Sequence, residues 1–270
     1  MIPLDATLYV YELRGDVVSG VSDPPASFIG LWNEEEFSYL FFTAAEDAYV
    51  ADISISTHME VGARHEMKYA DWQAGLPAGG IELAGVRFVS ADHPSPPPGS
   101  VVLDPSVVFG DGTHPTTAAT LGFLRELVQS HGIGSMLDLG TGTGILALAA
   151  ASMGMSRIVA VDKNKLAVKT AKKNVKVSSY SSVIEVQEGE ARWFVGRPFD
   201  CVAANLPFQV LRDLATGPGM DLHRFWVVSG INSDQAAVLK DLFVERGFLI
   251  GRERKDPPWV TFTAANSALL

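Results

Sequence analysis

Cysteine is almost absent: the chain has one, Cys201, in 270 residues. A single thiol excludes an internal disulfide and any cysteine-based metal cluster. Basic residues are also scarce, 21 Lys and Arg against 31 Asp and Glu, for a net charge of −10. Proteins that hold nucleic acid by bulk phosphate attraction carry the opposite balance, so no bulk nucleic-acid binding is expected. The opening Met1-Ile2-Pro3-Leu4-Asp5 lacks the basic start of a secretory signal. No apolar run is long enough for a membrane span; the longest, Ile145 to Met155, is broken by Ser152 and Gly154. Six histidines (His58, His65, His93, His114, His131, His223) are scattered without ligand spacing, so no metal site is expected. What is present is a chain 47% hydrophobic and 19% charged, able to bury a real core, without repeats or low-complexity tracts. Its length suits one large or two modest domains. Together these features predict a cytoplasmic enzyme or binding protein.

The N-terminal segment is rich in strand patterns. Thr7 to Leu13 predicts a strand ended by Arg14-Gly15-Asp16. Phe28 to Trp32 and Phe37 to Phe42 predict two strands joined by the acidic turn Asn33-Glu34-Glu35-Glu36. The alternation in Val50 to Ile55 predicts a half-buried strand, residues 58–75 a short helix or linker, and Ile81 to Val89 another strand. Pro94, Pro96, Pro97, Pro98 and Gly99 then interrupt the chain. This punctuation divides the sequence into a small N-terminal domain (1–60), a connecting segment (61–98) and a larger domain (99–270).

From Met136 the rhythm becomes strand–helix alternation, the pattern of a doubly wound parallel α/β sheet. Strands are expected at Ser135 to Leu139, Arg157 to Val161, Val183 to Gln187, Asp200 to Ala204, Phe225 to Val228, Phe248 to Gly251 and Trp259 to Thr263. Helices are expected at Thr116 to Val128, Ile145 to Met153, Lys165 to Val177 and Asp234 to Arg246. The last two strands are separated only by a turn around Asp256-Pro257-Pro258, so they should pair antiparallel.

The strongest motif is Leu137-Asp138-Leu139-Gly140-Thr141-Gly142-Thr143-Gly144, at a strand-to-helix turn. Glycines let the backbone approach a ligand, and the helix start presents free N–H groups. A dinucleotide fingerprint would need glycine at 145, where isoleucine stands. Gly140, Gly142 and Gly144 with Asp138 ahead of them point instead to a nucleoside-type site. Asp162 ends the next strand, where a carboxylate can accept both ribose hydroxyls. Glu190, in Glu188-Gly189-Glu190 after the third strand, is either an adenine contact or an exposed acidic turn. Asn205 follows Asp200 to Ala204 at the sheet edge where α/β ligands sit, and its amide oxygen can hold an amine donor against an electrophile. Phe208, behind Pro207, stacks on a flat group or fills space. Phe109-Gly110-Asp111-Gly112-Thr113-His114-Pro115-Thr116-Thr117 reads as a shaped loop whose hydroxyls cap a helix or bind a ligand. Lys165, Lys169, Lys172, Lys173 and Lys176 share one helical face, expected to be solvated.

These motifs together resemble the class I S-adenosylmethionine-dependent methyltransferases, and more narrowly the PrmA family, the methyltransferases of ribosomal protein L-eleven. The specific element is Phe109-Gly110-x-Gly112-Thr113-His114-x-Thr116-Thr117. Leu137 to Gly144, Asp162, Ala204-Asn205-Leu206 and Ser229-Gly230-Ile231 follow in order, and Leu8 to Leu13 and Gly30 to Trp32 resemble the family's small domain, so that the likeness extends over nearly the whole chain. The resemblance implies a Rossmann-like seven-stranded sheet with a small N-terminal α+β domain. It also implies S-adenosylmethionine as cofactor, with Thr117, Gly140, Asp162 and Asn205 binding it, and an N-terminal domain that docks a ribosomal protein methylated on lysine and α-amino nitrogens. Asn205 would position the amine, with no side chain assigned as proton acceptor. Three positions depart from the family: Asp111 where Thr is usual, Pro207-Phe208, and Gly217-Pro218-Gly219-Met220. Asn-Leu-Pro-Phe leans toward enzymes that methylate planar amines, so a nucleic-acid base methyltransferase is the alternative, and a non-catalytic S-adenosylmethionine-binding protein a third reading.

Overall fold

The computed structural model describes residues 2–3, 5–15, 17, 21–33, 36–72, 76–77 and 79–270. The chain divides into two compact units, Met1–Gly75 with Asn164–Leu166, and Leu76–Lys163 with Ala167–Leu270. In the first, β1 (Thr7–Arg14), β2 (Phe28–Asn33) and β3 (Phe37–Phe42) are followed by α1 (Asp47–Thr57), β4 (Glu60–Lys68) and α2 (Tyr69–Trp72). The strands form an antiparallel sheet in the order β2-β3-β1-β4. Tyr11, Leu13, Leu40, Phe42, Val50 and Ile53 make its core. The Tyr11 hydroxyl accepts the Glu46 N–H at 2.9 Å and donates to Asp47 at 3.1 Å, which anchors the start of α1 to the sheet.

Two expectations fail here for the same reason: exposure hid the periodicity. Val50 to Ile55 is not a strand but lies within α1. Val50 and Ile53, one helical turn apart, are buried, whereas Ile55 is 73% exposed. Residues 60–68 are not a linker but β4, an edge strand paired with β1 and exposed along nearly its whole length. A boundary at 60 would cut β4 from its partner, so the division falls after residue 75. The expected acidic turn Asn33-Glu34-Glu35-Glu36 and the expected strand end Arg14-Gly15-Asp16 fall in part on residues 34, 35 and 16, which lie outside the described residues.

The second unit begins with β5 (Ile81–Leu83), β6 (Val86–Ser90) and β7 (Val101–Leu103), a three-stranded sheet. The expected single strand 81–89 is a hairpin, because Ala84 and Gly85 both adopt positive φ (48° and 71°). Thus the connecting segment 61–98 is mostly folded and shared between the two units. Next come α3 (Pro115–His131), β8 (Ser135–Leu139), α4 (Ile145–Ser152), β9 (Arg157–Asp162), α5 (Lys165–Val177) and β10 (Ile184–Glu188). The chain continues with β11 (Cys201–Asn205), α6 (Phe208–Thr216), β12 (Phe225–Asn232), α7 (Ser233–Glu245), β13 (Phe248–Asp256) and β14 (Trp259–Asn266). The seven strands are ordered β10-β9-β8-β11-β12-β14-β13. The first five run parallel, and β14 pairs antiparallel with both β12 and β13, as the short last connection requires.

Alternation places each central strand between two cores. Met136, Cys201, Ala203, Phe225 and Val227 face one, with Leu121, Leu124 and Leu148. Leu137, Leu139, Val202, Trp226 and Val228 face the other, with Leu239, Phe243 and Phe262. Cys201 is completely buried between β8 and β12, and burial pushes its thiol pKa up. Among the described residues no helix is long and apolar enough to cross a membrane. The strand order reverses between β8 and β11, which opens a crevice at their carboxyl ends.

Candidate functional site

Register fixes what meets at that edge. Leu139 pairs with Val161 and with Ala204, so Gly140, Asp162 and Asn205 stand at one level, and Glu188 lies beside Asp162. The turn after β8 is tied down by its own backbone. Gly140 and Thr141 both donate N–H to Val161 O at 2.9 Å, and Gly144 donates to Thr141 O at 2.9 Å. Gly142 N–H donates to Asp162 Oδ2 at 3.0 Å. Gly140 (φ +73°) and Gly142 (φ +55°) adopt left-handed backbone. A Cβ at Gly140 would sit 2.3 Å from Leu206 Cδ2, and one at Gly142 would sit 2.6 Å from the Phe109 carbonyl oxygen. The turn therefore packs bare backbone against Asn205-Leu206 and the 109–110 loop, and the first-turn amides of α4 after Gly144 have no intrahelical acceptor.

Asp138 lies beneath this turn, fully buried. Its Oδ2 accepts the Thr141 hydroxyl at 2.6 Å, and the Ala147 N–H in the first turn of α4 faces the carboxyl. Burial pushes its carboxyl up to about 7; the Thr141 and Ala147 hydrogen bonds oppose the rise and the charge of Asp162 adds to it.

Asn205, half-buried at the tip of β11, donates Nδ2–H to Thr116 Oγ1 at 3.1 Å. Thr116 and Thr117 are both 1% exposed in the first turn of α3, which His114 caps by accepting the Thr116 N–H. The structure therefore joins Asn205 to Thr116, one residue before the threonine singled out in the sequence. The hydroxyls of this loop were noticed, but nothing in the pattern said which of two neighbours reaches the next strand. Asn174 on α5 was missed altogether. It accepts Asp104 N–H and donates to Asp104 O and Thr143 O, each at 2.9 Å, and so locks the segment after β7 to the glycine turn. Thr143 completes the lock by donating to Gly110 O at 2.6 Å. Since Asn174 is 1% exposed, Asn174→Ala leaves these backbone groups unsatisfied and should cost about 3 kcal/mol in urea denaturation. A loss below 1 kcal/mol would show that water replaces the amide.

Glu190 begins a one-turn 3-10 helix, Ala191–Trp193; its carboxyl has no partner among the described residues, and Trp193 beside it is 66% exposed. Phe208 opens α6, half-buried against the core that holds Leu211 and Trp226.

A model of the family described as ribosomal protein L11 methyltransferase (PrmA) matches residues 88–267. The chain belongs to this family. A protein named ribosomal protein L11 methyltransferase from Desulforamulus reducens is 35% identical over 171 residues, 62% of this chain and 55% of that protein. One of the same name from Lacticaseibacillus paracasei is 32% identical over 166 residues, 61% of this chain and 52% of that protein. The chain thus spans little more than half the length of these relatives. Its fold matches the crystal structure of ribosomal protein L11 methylase from Lactobacillus delbrueckii subsp. bulgaricus at a TM-score of 0.59 and 23% identity, covering 67% of this chain and 94% of that one.

The PrmA match begins inside β6, so it carries none of the likeness expected for Leu8 to Leu13 and Gly30 to Trp32, and the expected extent over nearly the whole chain is not met. Within the match, Asp111 explains its departure from the family's usual Thr. It is 8% exposed, and its Oδ1 accepts both the N–H (2.9 Å) and the hydroxyl (2.7 Å) of Thr113, so its carboxylate shapes its own loop. The Gly217–Met220 stretch is pinned by Arg246 Nη1, which donates to Gly217 O at 3.0 Å, far along the chain from the PrmA loop. The five lysines of α5 point to solvent, and Lys173 pairs with Asp104 at 2.5 Å.

Proposed function

We propose that this chain transfers methyl groups from S-adenosylmethionine to amine nitrogens, lysine or N-terminal α-amino, of a large-subunit ribosomal protein in the cytoplasm. The observation that carries this reading is Asn205, held by Thr116 one strand from the glycine turn and level with Gly140 and Asp162. The turn at the strand edge fits the cofactor in that it is bare backbone, with no room for a Cβ at Gly140 or Gly142. Gly140, Gly142 and Gly144, whose own amides are engaged within the protein, would let it lie close against the bare backbone of the turn. Asp138 and Asp162 would face its amino group and its ribose hydroxyls, Glu190 the adenine amino group, and Thr117 the wall behind. When bound, the cofactor supplies an electrophilic methyl and a positive charge.

The chain's own work is alignment and exclusion of water. A lysine with an ordinary pKa near 10.4 is neutral in roughly one of two thousand molecules at pH 7. Burial of the amine against Leu206 and Phe208, beside a cation, lowers that pKa. Asn205 Oδ1 then accepts one amine N–H and points the lone pair along the transfer axis. No strong base is needed next to the amine. The N-terminal unit supplies none of the residues of the glycine turn or of the Asn205 pair, and its β4 is an exposed edge strand; docking of the ribosomal protein is assigned to it.

The test is transfer of labelled methyl to unmethylated ribosomes of the source organism, followed by separation of protein from RNA. Label on one ribosomal protein, absent with Asn205→Ala, is the expected result. Label in RNA would establish base methylation instead. Cofactor binding without transfer to either fraction would leave only the binding-protein reading.

A further inference from the structure

The groups around Asn205 form a hydrogen-bond chain with one consistent direction. His114 Nδ1 accepts the Thr116 N–H at 3.4 Å, so this nitrogen carries a lone pair and no proton. Thr116 Oγ1 lies 2.6 Å from the same nitrogen and must donate its hydroxyl proton there. With that proton committed, Oγ1 only accepts toward Asn205, and it accepts Nδ2–H at 3.1 Å. At 1% exposure, Thr116 leaves water no place in the chain. The His114 ring sits edge-on between Phe109 at 5.3 Å and Trp259 at 5.2 Å, contacts that favour this orientation.

We propose that His114 and Thr116 are positioning residues that dictate which end of the Asn205 amide meets the substrate amine. The inference rests on the amine-methylating reading above. Asn205 Nδ2 belongs to Thr116, which leaves Oδ1 as the end that receives an amine N–H. If Nδ1 of His114 were protonated, the Thr116 hydroxyl would lose its acceptor and turn its proton on Asn205. The amide would then have to rotate by half a turn and present a donor to a donor. Burial keeps His114 below its ordinary pKa, which favours the neutral ring at pH 7. Asp111 is the charged group whose field reaches the ring, and it acts in the opposite sense; the Phe109 and Trp259 rings and the Thr116 hydroxyl beside it are uncharged.

Thr116→Val keeps the shape and removes the hydroxyl. It should lower kcat roughly 100-fold while the acceptor KM and the S-adenosylmethionine Kd stay within about threefold. His114→Leu should behave alike, whereas Thr116→Ser and His114→Asn, which restore the hydroxyl and an acceptor, should recover most of the rate. In the wild type, kcat should carry two ionisations on the acid side, that of the substrate amine and that of His114, and His114→Asn should keep the first and lose the second. Unaltered kcat in Thr116→Val, or a kcat profile in His114→Asn identical to that of the wild type, overturns the proposal. Nitrogen NMR of the imidazole gives a reading that needs no turnover. Nδ1 bare and Nε2 protonated is the expected state, and a protonated Nδ1 overturns the chain. A wild type that methylates no ribosomal protein but shows the expected ring state refutes the functional reading alone.

Discussion

Asp138→Asn is expected to remove a pH dependence of stability that the wild type shows between about pH 4 and pH 7. Burial raises the Asp138 carboxyl to about 7, whereas an aspartate in the unfolded chain titrates near 3.9. Between these values the folded state holds a proton that the unfolded state has lost, so stability falls as pH rises. The contribution is complete below about pH 4 and lost once the folded carboxyl ionises near 7. Three units of pKa correspond to on the order of 4 kcal/mol. An asparagine keeps an oxygen for the Thr141 hydroxyl and never ionises. Urea unfolding of both proteins at matched pH isolates the effect, because every other titrating group is common to the two. Parallel curves from pH 4 to pH 8 would mean that the buried carboxyl is not perturbed in this way.

Gly142→Ala is the second large effect. The backbone there has φ +55°, which costs an L-residue roughly 1–2 kcal/mol. The new Cβ would also approach the Phe109 carbonyl oxygen to 2.6 Å. That oxygen is not a side-chain end that can swing away; it accepts Thr143 N–H at 3.3 Å, and Gly110 beside it accepts the Thr143 hydroxyl. The strain and the overpacking together should cost roughly 2–5 kcal/mol and abolish S-adenosylmethionine binding. Gly122→Ala is the matched control. It lies within α3, a Cβ there meets nothing within 4 Å, and helix propensity predicts a gain of about 0.5–1 kcal/mol. If calorimetry finds cofactor affinity intact in Gly142→Ala, the glycine turn is not the binding cradle.

The C-terminal sheet was legible because its strands are buried on both faces, so Met136-Leu137 or Val202-Ala203 reads as apolar whatever its register. The glycine turn, Asp162 and Asn205 were legible because a parallel sheet returns every strand end to one edge. The N-terminal unit was harder. α1 buries only Val50 and Ile53, and β4 almost nothing, so neither leaves a period to read. α6 went unseen behind Pro207, although Leu211, Leu214 and Ala215 mark its inner face. Thr116 could not be told from Thr117 by residue type. Only the packing of α3 against the tip of β11 separates them. The same holds for Asn174, whose three hydrogen bonds reach Asp104 and Thr143, 70 and 31 residues away.

The lone thiol in the middle of the sheet has a practical consequence. Cys201 is shut off from solvent by strands on both sides, and its pKa keeps it from forming thiolate at neutral pH. An alkylating reagent can reach it only when β11 separates from β8 and β12, which means opening the core. The rate at which the native protein takes up such a reagent therefore times the opening of the sheet itself, with no engineered probe. Repeated with S-adenosylmethionine present, the same clock would register how far a ligand at the strand tips slows the parting of the strands beneath it.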